Sequence, residues 1–91
     1  MAEYYSDNQR HLVCYPYSVE GLHEMAAALG IKRCWFHAGR HPHYDIPKRR
    51  IKEIAEKTNV VDPREILDIV KGKEPWALQT KKLAAMLLEN R

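Results

Sequence analysis

Apolar positions along this chain fall into short blocks, and the spacing inside them changes from block to block. The first clear block, 11-HLVCY-15, is a β-prone run that predicts a strand, ended by Pro16. In the next, Val19, Leu22, Met25, Ala26 and Leu29 recur at three- and four-residue intervals, which lines one face of a helix. Ser18 stands at its N-cap, Glu20 favours its positive end, and Gly30 occupies the C′ position. Then 31-IKRCWF-36 alternates and is rich in bulky residues, so a second strand is expected. A hairpin turn cannot contain a helix, whereas a right-handed parallel crossover can. The order strand, helix, strand therefore predicts a βαβ core.

Downstream, Pro47 suits the first turn of another helix, with Asp45 or Ile46 near its cap. Ile51, Ile54, Ala55 and Thr58 give that helix an inner face, Asn59 ends it, and Val60 with Val61 offers a third short strand. In 62-DPRE-65, Asp62 is an N-cap, Pro63 sits at N1 and Glu65 at N3, a capping-box variant. Ile66, Leu67, Ile69 and Val70 fill this helix and Gly72 closes it. After Pro75, Trp76 begins a last helix with Leu78, Leu83, Met86 and Leu87 inward, and Ala84 and Leu88 widen its apolar face. Such a face covers the sheet or packs on another chain. Residues 1–10 are polar and aromatic, an arm or a short edge element. The expected fold is a single α/β domain over 1–91. A small two- to three-stranded parallel sheet, the βαβ core, spans 11–61, with flanking helices and a helical C-terminal tail over 62–91.

Bulk properties narrow this picture. A 91-residue chain buries only about 60–65% of its unfolded surface, so it needs a dense core or a partner copy. No stretch approaches the ~18 apolar residues of a membrane span, and MAEYYSDNQR has no apolar run that would make a secretory signal. An intracellular protein is expected, with Cys14 and Cys34 as buried free thiols rather than a disulfide. The net charge of +3 is mild, but it is local. Lys32, Arg33, Arg40, Lys48, Arg49, Arg50 and Lys52 stand against Asp45 alone, and the rest of the chain is net acidic.

That basic region contains the most unusual segment, 37-HAGRHPHYDIPKRR-50, with three of the five histidines. In a parallel sheet it follows the carboxyl end of the second strand, where ligands bind, beside two helix N-termini that favour anions. Its chemistry admits three readings. Arg40, Lys48, Arg49 and Arg50 suit phosphate, His41 and His43 can donate to it, and Tyr15, Tyr17, Trp35 and Tyr44 can stack on a base. Cys34, His37, His41 and His43 are weaker metal candidates, in a spacing that matches no standard zinc finger. The fragment 41-HPHYD-45 is similar to the H-x-H-x-D start of metallo-hydrolases of the β-lactamase type. Ile46 stands where the next histidine would be, and the chain is too short for that fold. In the third reading, His41 and His43 beside Asp45 shuttle protons in phosphodiester cleavage. His11 and His23 are read as structural or surface residues.

The segment 37-HAGRHPHYDIPKRR-50, taken with 12-LVCYPYSVEGLHEMAAALGIKRCWF-36, resembles a small family of uncharacterised phage and bacterial proteins, a domain of unknown function. Leu22-His23, Leu29-Gly30, Arg33, Trp35-Phe36, the HPHYD turn from His41 to Asp45 and the Lys48-Arg49 pair carry the resemblance, over roughly residues 11–60. The N-terminal arm lacks the metal-like or acidic strand start of some members, and the last thirty residues have no counterpart in the resemblance. The resemblance brings no mechanism. It implies a phage or prophage origin, action in the cytoplasm of a bacterial host, and, from that context, a role in countering host defence.

The leading expectation is a binding protein, not an enzyme, that captures a phosphate-bearing small molecule, a nucleotide first of all. Arg40, His41, His43, Tyr44, Lys48 and Arg49 would form its pocket, with Tyr17 and Trp35 as stacking walls and a homo-oligomer completing what one small chain cannot close. No cofactor is expected. The alternatives are a small phosphodiesterase or nuclease using His41, His43 and Asp45, with or without a metal, and an inhibitor of a host protein. Nucleic acid ranks last as a partner because no DNA-reading motif is present.

Overall fold

A computed structural model of the chain describes residues 2–7 and 9–76. Among them the chain forms β1 (Glu3–Ser6), β2 (His11–Tyr15), α1 (Val19–Leu29), β3 (Phe36–His37), β4 (His43–Asp45), α2 (Ile51–Lys57), β5 (Asn59–Val60) and α3 (Pro63–Val70). Short 3-10 turns at Arg33–Trp35 and Lys48–Arg50 precede β3 and α2. The strands make one sheet in the order β3-β4-β2-β1-β5. Only β1 and β5 pair in parallel; β1/β2, β2/β4 and β3/β4 are antiparallel.

The α/β class is as expected, but the sheet is mixed rather than parallel. β2 and β3 do run the same way on either side of α1, yet β4 lies between them, antiparallel to both. The HPHYD segment, expected as a loop, supplies that intervening strand with its last three residues. Most of 31–36 is not a strand. Gly30, in the left-handed region at φ 70°, donates to Ala27 O, and Ile31 donates to Ala26 O, which closes α1 and buries Ile31. The chain then turns through Arg33–Trp35, and only Phe36 of the segment reaches the sheet. Residues 3–6, expected as an arm or edge, form the strand between β2 and β5. The third strand is Asn59–Val60, one residue earlier than the sequence suggested.

The capping signals fare better. Ser18 Oγ accepts from Gly21 N at 2.9 Å and Asp62 Oδ1 accepts from Arg64 N at 2.8 Å, each satisfying a free N–H of a helix start. Gly21 has a second constraint, since a Cβ there would lie 2.9 Å from both Cys14 Sγ and Ser18 Oγ. Glu65 does not complete a capping box; it is buried and accepts from Trp76 N instead. The predicted last helix lies outside the described residues.

Alternation along the strands gives the sheet two different faces. Leu12 opposes Tyr44, and Tyr44 opposes Phe36, so these share a face with Cys14 and Ser6. α1 covers it with Leu22, Met25, Ala26 and Leu29, and α2 reaches it where Thr58 Oγ1 meets Ser6 Oγ at 2.7 Å. Leu12, Leu22, Met25, Ile54 and Tyr44 are buried here, each large side chain worth about 1.5–3 kcal/mol. The other face carries Tyr5 and Val13, covered by Ile66 and Ile69 of α3, and beyond them His11, His43, Asp45 and His37. No helix among the described residues is long and apolar enough to cross a membrane.

Candidate functional site

Register alone brings the histidines together. His11 of β2 stands opposite Asp45, and His37 of β3 opposite His43. His43 and Asp45 are two apart on β4 and so point the same way. One side-chain atom each of His11, His43 and Asp45 lie within 4.8 Å of one another. Asp45 is gripped from two sides: Oδ2 is 2.8 Å from His37 Nε2, and Oδ1 is 3.3 Å from His43 Nε2. The His37 and His43 rings stack at 5.2 Å, and the His11 ring meets His43 edge-on at 5.2 Å.

The ring nitrogens are not equivalent. Asp7, whose side chain has no solvent exposure, sits in the β1–β2 turn. Its Oδ1 accepts from Gln9 N and His11 N, and its Oδ2 lies 2.8 Å from His11 Nδ1. The turn is tight enough to put Arg10 at φ 73°, and Arg10 Nε and O fasten it to Ile46. A carboxylate only accepts, so His11 Nδ1 carries a hydrogen and Nε2 is left to face the cluster. His43 Nδ1 likewise meets the carbonyl of His41 at 2.8 Å and must donate to it. That leaves Nε2 of His43 turned toward Asp45, 3.3 Å from Oδ1.

A cavity of about 320 Å³ opens beside these rings, lined by His11, His41 and His43 and floored by Pro63, Ile66, Leu67 and Val70 of α3. A larger one, about 540 Å³, lies elsewhere, between the end of α1 and the start of α2. Trp35, Lys32, Cys34, Lys48, Arg49 and Arg50 line it with Gly30, Ile31 and Pro47. It contains four basic residues and no acid. Arg50 is already engaged: it donates to Leu29 O and Gly30 O, the carbonyl end of α1, and pairs with Glu53 at 2.7 Å. Arg50 and Lys57 together hold the Glu53 carboxyl down to about 2, and Glu53 in turn raises the Arg50 guanidinium. Lys32, Lys48 and Arg49 have no acidic partner among the described residues.

The residues singled out in the sequence thus divide among three places. His37, His43 and Asp45 meet on the open face, and exposed His41 lines the cavity next to them. Trp35, Lys48, Arg49 and an exposed Cys34 belong to the basic cavity, so only Cys14 is the buried thiol expected, its ionisation pushed up by burial. Tyr44 joins neither; it is buried on the opposite face, sharing a 2.7 Å hydrogen bond with His23 Nδ1. Tyr17 donates to Pro42 O at 2.6 Å, and burial raises its phenol. Arg40 is exposed on the β3–β4 connection. The paired helix N-termini are not assembled, because Lys48–Arg50 lies against the far end of α1. His11, read from the sequence as structural or surface, and Asp7 belong to this site: the β1–β2 hairpin joins Asp7 to His11, and β2/β4 pairing sets His11 beside Asp45.

Over residues 4–73 the chain matches a family described as proteins of unknown function, DUF4031. The chain belongs to the DUF4031 family. The match runs from β1 through α3, and so takes in Asp7 and His11 as well as the HPHYD strand. No curated protein and no solved structure matches this DUF4031 chain.

Proposed function

We propose that this DUF4031 protein binds a phosphate-bearing small molecule, a nucleotide first of all, in the basic cavity. One observation carries the reading: Lys32, Lys48, Arg49 and Arg50 surround a cavity that has an indole on its wall and no acid in its lining. Its volume of about 540 Å³ lies within the usual ~300–1,000 Å³ of small-ligand sites. Lysine and arginine supply phosphate donors, and Trp35 supplies a flat surface for a base. A second copy of the chain would close the open side. In the cytoplasm of a phage-infected bacterium, capture of this kind would remove a host defence signal. The test is calorimetric titration with nucleoside mono- and triphosphates and with inorganic phosphate. Lys48→Glu combined with Arg49→Glu is expected to weaken nucleotide binding at least about tenfold, each lost charge-assisted contact being worth roughly 1.5 kcal/mol or more. Arg40→Glu, on the exposed connection, should matter less. Undiminished affinity in the double variant ends this reading.

The cluster of His11, His43 and Asp45 favours a second reading, a small phosphodiesterase in which water is the attacking group and a histidine the base. Neither Ser, Thr nor Cys lines the adjoining cavity. Hydrolysis of a phosphodiester lost in His43→Ala, with the basic cavity intact, would place this reading first.

A further inference from the structure

The geometry points to a divalent transition-metal site on the open face of the sheet, held by His11, His43 and Asp45, with Asp7, His41 O and His37 holding those ligands in place. The capture reading does not depend on it. Three observations carry it. The candidate donor atoms come from two neighbouring strands and already lie within 4.8 Å, one pair at 3.3 Å. Donors about 2.0–2.2 Å from a common ion stand roughly 3–3.4 Å apart, so the cluster needs a contraction of at most about 1.4–1.8 Å and no change of fold. Second, both histidines have their other nitrogen fixed by an acceptor, the arrangement that orients a metal-binding imidazole. Asp7 is the stronger of these supports: its carboxylate is wholly buried and aimed at His11 Nδ1. Third, the cluster opens onto a cavity of about 320 Å³ lined by His11, His41 and His43, so an ion held there is reachable from outside.

The donor set names the metal class. Two imidazoles and one carboxylate suit zinc and the neighbouring borderline ions such as cobalt, whereas magnesium and calcium want oxygen ligands. Three protein ligands leave coordination positions free, and the adjoining cavity of about 320 Å³ is where water or a ligand would enter. His37 keeps its bond to Asp45 Oδ2 and fixes the carboxylate, outside the ligand set.

The test uses the full chain, stripped with chelator and titrated with Zn²⁺ by calorimetry and with Co²⁺ by visible spectroscopy. A single ion per chain is expected, with Co²⁺ d–d bands and no sulfur charge-transfer band. His11→Ala, His43→Ala and Asp45→Ala should each abolish the bands, while His37→Ala retains them with weaker affinity. Circular dichroism checks that each variant folds, and His43→Gln provides a milder replacement should His43→Ala fail to. Absence of binding to the folded wild type, binding that survives in folded His43→Gln combined with Asp45→Ala, or a thiolate band that vanishes with Cys34→Ser would each overturn the inference.

Discussion

β4 is three residues long, yet its two sides belong to different parts of the molecule. Tyr44 points into the core, where its hydroxyl meets His23 and its ring lies 5.3 Å from Phe36. His43 and Asp45, on either side of it in sequence, point to the open face and meet His11 and His37. Both faces use a histidine with one ring nitrogen in a hydrogen bond. On the core face His23 is ringed by Phe36 at 4.6 Å and Tyr44 at 5.8 Å, and it makes a closed aromatic cluster. On the open face the histidines converge on a carboxylate beside a cavity, and donor capacity is left over. A histidine's role here follows from which face of the sheet it meets, not from its neighbours in sequence.

Truncation on the core side is the harshest test of that contrast. Tyr44→Ala removes a side chain that is 1% exposed and strands the His23 nitrogen, with an expected loss of about 3–5 kcal/mol in denaturant unfolding. Against the roughly 5–15 kcal/mol of a typical domain that is a large fraction. Unfolding free energy within about 1 kcal/mol of wild type would show that the core face is not the structural one.

Asp7 belongs to both accounts, and Asp7→Asn sharpens the comparison. The amide keeps the volume and an acceptor, but the buried charge that holds the Gln9 and His11 backbone N–H groups is gone. A loss of about 1–3 kcal/mol is expected, since hydrogen bonds to charged groups are the stronger ones. If the open face binds metal, Asp7→Asn should also weaken that binding roughly 10- to 100-fold, the usual effect of losing a group that orients a ligand. A variant that lost stability and kept full metal affinity would confine Asp7 to the turn.

Helix ends are legible where their signals are local: Ser18, Gly30, Asp62 and Pro63 mark the ends expected of them, whereas Pro47 opens a 3-10 turn and α2 begins only at Ile51. Pairing was not, because the partner of a strand lies far away in sequence. HPHYD has one apolar residue, Tyr44, flanked on its other face by polar groups, so the alternation that normally identifies a strand was masked by the very residues that form the cluster. The 31-IKRCWF-36 run shows the converse. Its bulky residues alternate, but closing α1 through Ile31 and turning through Arg33–Trp35 leave only Phe36 of the segment in the sheet. Once β4 entered between β2 and β3, the basic residues after it were carried to the far end of α1. One expected pocket became two. His11 looks like a plain strand opener for the same reason: its company comes from a partner strand 32 to 34 residues away in sequence.

The gentlest test exchanges the same residue type on the two faces. His23→Leu keeps an apolar side chain on α1 but leaves the buried Tyr44 hydroxyl without its partner, a cost of about 1–3 kcal/mol. His43→Leu removes a side chain that is one-quarter exposed, and the carbonyl of His41 that it leaves is on an exposed residue and can turn to water. Asp45 loses one of its two histidine contacts and keeps His37. No buried polar group is stranded by this change, so its cost should stay below about 1 kcal/mol. Thermal and urea unfolding of the two variants should therefore rank His23→Leu clearly below His43→Leu. The reverse order would mean that the His–Asp cluster holds the sheet together, and its claim to be a binding site would lose its physical basis.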